Sequence, residues 1–216
     1  MAVTEVDAMT TETRDTSPPA PPARRMSYEE FLRTDEEGWA EWVDGWVVPM
    51  SPPSTEHKLV RLWLSKVLSV FVEHRRLGTV LAAPYQMKTG PELPGREPDI
   101  LFVAKEHEDR LRKNHLEGPA DLAVEIVSPE SGGRDRGDKF YEYERGGVRE
   151  YWLIDPQRRQ VEFYQRGADG LYHAVLPVDG AYHSAVLEGL WIREEWLWQS
   201  PRPALLEILG AWGLQP

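Results

Sequence analysis

The chain has 216 residues, of which 41% are hydrophobic and 28% are charged, a composition typical of a soluble globular protein with a buried core. It contains no cysteine, which excludes disulfides, thiolate nucleophiles and cysteine metal sites. The formal net charge of −11 argues against a bulk electrostatic attraction to nucleic acid, although it leaves room for a local basic groove.

The first 25 residues contain no apolar run, so we expect neither a signal peptide nor a membrane anchor there. Their Thr, Ser, Ala and Pro content predicts a disordered N-terminal tail. No later segment of the sequence has the length and apolarity of a membrane span. Together with the absence of cysteine, these features favour a cytoplasmic protein with no membrane partner.

The predicted core begins at "SYEE", a capping box whose N-cap is Ser27 and from which a short helix runs to about Thr34. The segment "WAEWVDGWVVPM" predicts a hairpin, because Asp44 and Gly45 tolerate the positive φ angles of a tight turn. Residues 54–78 predict a long helix that Gly78 ends. Its expected apolar stripe comprises Leu59, Trp63, Val67, Val70 and Phe71.

Short apolar strands dominate the rest of the core. We expect two strands in "TVLAAPYQMK" and one each in "DILFV", "DLAVEIVS" and "REYWLID", followed by a meander through "VEFYQR" and "LYHAVLP". A surface helix in "EHEDRLRKNH" and a helix that ends at Gly146 or Gly147 lie between strands. Apolar strands separated by helices indicate an α/β fold with a mixed β-sheet flanked by helices.

The predicted organisation has three parts: a disordered tail over residues 1–25, a core domain over 26–178 and a C-terminal extension over 179–216. The extension ends in "SPRPALLEILGAWG", which predicts an amphipathic helix with Ser200 as its N-cap. Such a helix covers either an edge of the core or a partner protein.

Two carboxylates stand out in the predicted strands. Glu125 lies within an apolar strand, where an unpaired carboxylate costs several kcal/mol, and Asp99 opens another strand. If the two strands are neighbours, both carboxylates converge on one point, where they repel each other unless a proton or a hard cation lies between them. Mg²⁺ suits this position because it prefers oxygen ligands and keeps several waters, which leaves room for phosphate.

Lys139 lies in the helix that follows Glu125. An ammonium beside a metal-bound phosphate can position or deprotonate the attacking water, or offset developing negative charge. For work as a base, its ordinary pKa of about 10.4 has to fall, and a neighbouring Mg²⁺ would lower it.

Several motifs, taken in their order along the chain, resemble one known family. "AEWVDGWVVPMSPPSTEH", "EPDILFV", "DLAVEIVSPES" and "RDRGDKFYEYERGGVREYWLIDP" are similar to segments of the Uma-type restriction endonucleases, a bacterial family of the PD-(D/E)xK nuclease superfamily. The resemblance covers roughly Tyr28 to Tyr172. It implies a restriction-endonuclease-like core with a four-stranded mixed sheet, and Mg²⁺-dependent cleavage of phosphodiester bonds in DNA, with Mn²⁺ as the expected substitute metal.

The resemblance also implies the site residues: Asp99 and Glu125 as metal ligands, the Ile126 carbonyl as a further ligand, Lys139 as the catalytic lysine and Glu41 as an early glutamate near the site. The superfamily motif places a lysine at position 127, where this chain has Val127. The Uma-type family characteristically places that lysine on the following helix, and Lys139 in "RDRGDKF" matches this arrangement.

Each of these residues also has a structural interpretation. Asp99 suits a strand-entry cap, and Glu125 suits a buried ion pair with Arg134, Arg136 or Lys139. Asp135 lies four residues before Lys139, as in a helical salt bridge, and Tyr143 suits packing. An exposed position on the hairpin accounts for Glu41, and helix capping or packing accounts for His57.

The sequence therefore predicts a metal-dependent endonuclease that acts on DNA. One alternative is a non-catalytic member of the same fold that binds nucleic acid or protein. A second alternative is a protein-interaction domain whose C-terminal helix forms the seam of a homodimer, an assembly that is also compatible with catalysis.

Overall fold

The computed structural model describes residues 24–34 and 40–214. The predicted tail lies outside the described residues, except for its last two, which form strand β1 (Arg24–Arg25). The elements that follow in the first half of the core are α1 (Tyr28–Phe31), β2 (Ala40–Val43), β3 (Trp46–Pro49), α2 (Thr55–Arg75), β4 (Gly78–Ala82), β5 (Gln86–Lys88), β6 (Gly95–Arg96) and β7 (Ile100–Ala104).

The second half contains a 3₁₀ helix (Lys105–Arg110), β8 (His115–Glu117), β9 (Leu122–Ile126), α3 (Gly132–Arg136), α4 (Asp138–Gly146), β10 (Glu150–Asp155), β11 (Gln160–Arg166) and β12 (Tyr172–Ala174). The C-terminal region adds β13 (Ala181–His183), β14 (Trp191–Arg193), a second 3₁₀ helix (Glu194–Leu197) and α5 (Leu205–Ala211). No helix in the described ranges combines the length and the hydropathy needed to cross a membrane.

The central sheet has the strand order β12-β11-β10-β9-β7-β4. β9 and β10 run parallel, whereas the other neighbouring pairs are antiparallel, so the predicted mixed sheet is confirmed. It contains six strands rather than the four that the family resemblance implied. A second six-stranded sheet has the order β1-β3-β2-β6-β5-β8, and β13 and β14 form a separate pair.

The two faces of the central sheet pack against different helices. Leu122, Val124 and Ile126 belong to the hydrophobic cluster that also contains the buried face of α2. Ala123 and Val127 belong to the opposite cluster, beneath α4. Because side chains alternate along a strand, Glu125 points to the α4 side. This alternation places a carboxylate directly beneath a helix that carries a lysine.

The first hairpin agrees with its prediction. Its turn residues Asp44 and Gly45 have φ angles of 50° and 86°, and β2 pairs antiparallel with β3. The predicted capping box at Ser27 is also confirmed. The side chain of Glu30 accepts a hydrogen bond from the Ser27 amide, and the Ser27 hydroxyl accepts one from the Glu30 amide.

The long helix is present, but its buried face and its end differ from the prediction. Ser54 caps α2, and the buried positions include Val60, Leu64 and Leu68. Leu59, assigned to the apolar stripe, is 48% exposed. The helix ends at Arg75. The next residue, Arg76, has a φ of 56°, and Gly78 instead begins β4 with a φ of 149°. A Cβ at position 78 would lie 2.1 Å from the carbonyl oxygen of Val103, so the close approach of β7 requires glycine there.

Two other helix predictions need correction. The segment "EHEDRLRKNH" forms the short 3₁₀ helix and then leads into β8 rather than forming a surface α-helix. The C-terminal helix is capped by Ala204, not by Ser200. Pro203 explains the later start, because helical geometry is unfavourable for the residue that precedes a proline, which here is Arg202.

Candidate active site

The strands of Asp99 and Glu125 are neighbours, as the carboxylate hypothesis required. Asp99 directly precedes β7, and β7 pairs antiparallel with β9, with Ile100 opposite Val124. Both carboxylates line one cleft at this end of the central sheet, together with Ile126 and Lys139. The cleft has a volume of about 90 Å³. The predicted Asp99, Glu125 and Lys139 therefore meet at one place.

Asp99 is held by groups from two elements. Its Oδ2 accepts a hydrogen bond of 2.8 Å from the Ile126 amide and lies 3.1 Å from Nε2 of His57. Its Oδ1 lies 3.6 Å from a guanidinium nitrogen of Arg61. Because the hydrogen bond from Ile126 joins Asp99 to the neighbouring strand β9, Asp99 does more than cap the start of its own strand. His57 contacts the site directly, whereas the helix cap is Ser54.

Glu125 is buried and uses one oxygen for two contacts. Its Oε1 accepts from Nζ of Lys139 at 2.9 Å and from the hydroxyl of Tyr143 at 2.7 Å. Burial raises the pKa of Glu125 well above its ordinary value, and the nearby carboxylates of Asp135 and Asp99 act in the same direction. The ion pair anticipated as the structural interpretation is present, and its partner is Lys139.

Lys139 lies among three carboxylates with its side chain only 1% exposed. Nζ is 2.9 Å from Glu41, 2.9 Å from Glu125 and 3.4 Å from Asp135. Burial alone would lower the pKa of Lys139, but these carboxylates outweigh it and hold the pKa above its ordinary value. The lysine is therefore a fixed cation in this environment.

Glu41 is buried in contact with Lys139 and does not lie on the surface of the hairpin. It is fully buried, and its Oε2 accepts from Arg96 at 2.9 Å. Burial alone would raise the pKa of Glu41, but Lys139, Arg96 and Arg134 lower it to about 2. The interpretation of Glu41 as an exposed hairpin residue is wrong.

Three further residues complete the charge network and were not predicted for it. Arg96 binds Glu41 and also makes two hydrogen bonds of 2.7 Å to Glu142 on α4. Tyr143 donates to Glu125 while packing edge-on against Tyr151. Glu97 is buried, and burial raises its pKa to about 7. The sequence signal for Arg96 and Glu97 was "GREPD", three charged residues directly before the apolar run of β7.

The residues of the cleft suit one kind of metal site. In the described part of the chain, no group of three or more His, Asp or Glu side chains is arranged to hold a metal ion. Mg²⁺, however, usually takes one or two carboxylates together with several waters. Asp99 and Glu125 supply the two carboxylates in one cleft. The donor set therefore fits a largely hydrated Mg²⁺ and does not form an all-protein cage.

Several known proteins are similar to this chain in sequence or in structure. A family model named Uma2, described as "Putative restriction endonuclease", matches residues 28–195. The Synechocystis protein sll1609 is 24% identical over 143 residues, which is 65% of this chain and 80% of that protein. The Synechocystis protein slr1290 is 26% identical over 159 residues, which is 70% of this chain and 80% of that protein.

A crystal structure of a protein from Anabaena variabilis, described as a "putative nuclease", shares the architecture. Its TM-score is 0.64 at 19% sequence identity, and the match covers 78% of this chain and 95% of that chain. The likeness shows the restriction-endonuclease-like core predicted from the motifs. With the family match over residues 28–195, which is most of the sequence, the chain belongs to the Uma2 family of restriction-endonuclease type.

Proposed function

We propose that the protein is a Mg²⁺-dependent endonuclease that hydrolyses phosphodiester bonds in DNA. One observation carries the proposal: two acidic side chains from neighbouring strands and a buried lysine cation line the same cleft. The family to which the chain belongs supports a hydrolase that acts on nucleic acid.

Asp99, Glu125 and the carbonyl of Ile126 would hold the metal, with Mn²⁺ as a substitute. When bound, Mg²⁺ supplies Lewis-acid activation of water and neutralises charge on the phosphate. Binding a divalent cation favours the ionised form of Glu125, which opposes the effect of burial on its pKa. Asp99 is already fixed by the Ile126 amide, so the backbone of β9 orients this ligand.

Lys139 acts in this proposal as a cation rather than as a base. Its three carboxylate neighbours keep it protonated, so it offsets negative charge that develops on the phosphate and positions the attacking water. Glu41 does not line the cleft, and its contact of 2.9 Å with Nζ of the lysine helps to fix where the charge lies. Glu41 is therefore a positioning residue in the proposed mechanism.

Substitution of the two acidic ligands tests the proposal. We expect Asp99→Ala and Glu125→Ala each to abolish Mg²⁺-dependent nicking of supercoiled plasmid DNA, because each removes a ligand oxygen. The isosteric Asp99→Asn variant keeps the shape of the side chain and should be equally inactive. Gel analysis of the plasmid, with circular dichroism to verify folding, provides the measurement.

Asp109→Ala is the matched control, since it removes an exposed carboxylate that does not line the cleft. It should nick DNA like the wild-type protein. Full activity in folded Asp99→Ala and Glu125→Ala would contradict the mechanism.

A second candidate function is binding without catalysis. The direct contact between Glu125 and Lys139 favours it, because this ion pair satisfies the buried carboxylate without a metal. Titration calorimetry with Mn²⁺ separates the two functions. A catalytic site binds Mn²⁺ in the wild-type protein and not in Asp99→Ala, whereas a purely structural ion pair gives no binding heat in either protein.

A further inference from the structure

A second groove lies on the flank of α2 and has a volume of about 530 Å³. We call it the lateral groove and define it by Leu59, Leu62, Trp63, Lys66, Arg159 and Trp198, which line it. Leu59 and Leu62 are about half exposed, so the floor of the groove presents apolar surface to solvent. The rim carries positive charge.

The lateral groove holds hydrogen-bond donors that have no acceptor. Among the described residues, the side chains of Lys66 and Arg159 make neither an ion pair nor a hydrogen bond. Arg202, which also lines the groove, differs because it is already bound to Glu56 and to the carbonyl oxygen of Leu197. Unused donors beside exposed apolar surface favour a ligand that brings both acceptor oxygens and apolar groups.

The lateral groove lies close to the candidate active site. Glu56 lines the groove, and the next residue, His57, lines the active-site cleft. β9 and β10 are parallel neighbours. Ile126, which lines the cleft, ends β9, and Pro156, which lines the groove, directly follows β10, so both lie at the same edge of the sheet. A ligand that extends from the cleft along this edge meets the groove.

We propose that the lateral groove binds the phosphodiester backbone of the DNA substrate on one side of the scissile bond. This inference rests on the proposed endonuclease function. Lys66 and Arg159 are two unpaired cations on a chain whose formal net charge is −11, so their position at this edge provides local charge complementarity to phosphate. Sugars and bases between phosphates supply apolar surface for Leu59 and Leu62.

Fluorescence anisotropy of a short fluorescein-labelled DNA duplex, measured in EDTA so that no cleavage occurs, tests the inference. We expect Lys66→Ala and Arg159→Ala each to weaken binding at least about fivefold. Each variant should also reduce the slope of log affinity against log salt by about one, as expected for loss of a phosphate contact.

Lys113→Ala is the matched control, since it removes an exposed lysine that does not line the lateral groove. Its binding and its salt slope should equal those of the wild-type protein. Equal losses in Lys66→Ala and Lys113→Ala, or no binding of DNA by the wild-type protein, would overturn the inference. Binding of polyglutamate as tightly as DNA would overturn it as well, because it would assign the groove to acidic peptides.

The failure of the groove and the failure of the endonuclease function are distinguishable. Binding is measured without metal, whereas the endonuclease function is decided by the loss of nicking in Asp99→Ala. If nicking depends on Asp99 but the groove variants bind DNA normally, only the groove inference falls.

Discussion

Lys139 joins side chains from three parts of the chain at one buried point. Glu41 comes from β2, Glu125 from β9 and Asp135 from α3. Removing one partner from a buried ion pair costs about 3–5 kcal/mol, because it leaves an uncompensated charge. The lysine therefore stabilises the packing of the second sheet and α4 on the central sheet, in addition to any role in catalysis.

The low pKa of Glu41 leads to a prediction about acid stability. The folded pKa of about 2 lies below the ordinary value of 4.5, so Glu41 stabilises the fold above pH 4.5, and this stabilisation is lost as the pH falls toward 2. The shift corresponds to ~3 kcal/mol. We expect Glu41→Gln to be less stable than wild type at pH 7 by roughly that amount, and the difference to shrink between pH 4.5 and 2. Urea unfolding followed by tryptophan fluorescence measures both curves.

Glu92→Gln serves as the control for this experiment, since it changes an exposed glutamate in the same chemical way. Its stability should follow that of the wild-type protein across the pH range. A pH-independent difference between Glu41→Gln and wild type would show that packing, rather than charge, accounts for the effect.

The sequence predicted part of the candidate site at the level of single residues. Asp99 and Glu125 were identifiable because both interrupt or border apolar strands, and Lys139 because it matched a family motif. The contact between Arg96 and Glu41 was not identifiable, since it joins residues 55 positions apart in the second sheet. Pairings of this kind depend on which distant strands become neighbours in a sheet, which local patterns do not encode.

At the scale of elements, the start of β10 fixes the C-terminal region to the central sheet. Glu150 is fully buried and accepts hydrogen bonds from the side chains of Trp152, Tyr182 and Ser184. Its Oε2 also accepts from the amides of Ala185 and Val186. A single carboxylate thus organises the loop that follows β13.

We expect Glu150→Gln to destabilise the protein by about 1–3 kcal/mol, because an amide NH₂ would face donors that lose their acceptor. Hydrogen exchange at the amides of Ala185 and Val186 should accelerate, since both donate to this carboxylate. Urea unfolding and exchange monitored by mass spectrometry provide the measurements. Glu188→Gln, at an exposed position in the same region, should leave both quantities unchanged.

The predictions of element type succeeded more often than those of element boundaries. Strands β7, β9 and β10 were predictable as continuous apolar runs, because both of their faces are buried. The buried face of α2 was only partly predictable, since its apolar residues also line the exposed lateral groove. Apolar periodicity alone cannot separate a core face from a surface groove on the same helix.

At the scale of the whole molecule, residues beyond 178 share the core of the preceding domain. Tyr182, Leu187 and Leu190 belong to the same hydrophobic cluster as α2 and one face of the central sheet. The family match also continues to residue 195. The division into a core domain and a C-terminal extension stays a prediction, but the two regions pack as neighbours.

α5 covers this shared core, which bears on the homodimer hypothesis. Ile208 and Leu209 are buried, and Trp212, just after the helix, packs edge-on against Phe71 of α2 at 5.1 Å between ring centroids. The apolar face proposed as a dimer seam is therefore occupied within the chain. Leu206 points away from the core and is 68% exposed.

Two substitutions in α5 separate core packing from dimerisation. We expect Ile208→Ala to cost about 2–5 kcal/mol, because it leaves a cavity in the core. Leu206→Ala should change stability by less than about 0.5 kcal/mol, because its side chain is exposed. Urea unfolding measures both, and sedimentation velocity measures the oligomeric state. A shift from dimer to monomer in Leu206→Ala would instead assign α5 to a subunit contact.

The hydrogen bond between the Asp99 carboxylate and the Ile126 amide has a kinetic consequence. It ties one acidic group to the backbone of the strand that carries the other, so their spacing is set when the sheet forms. The entropy of positioning these groups is then lost during folding and not during ligand capture. In the proposed endonuclease, the rate of cation uptake at this cleft is therefore expected to follow encounter and partial dehydration of the ion, without a preceding loop rearrangement.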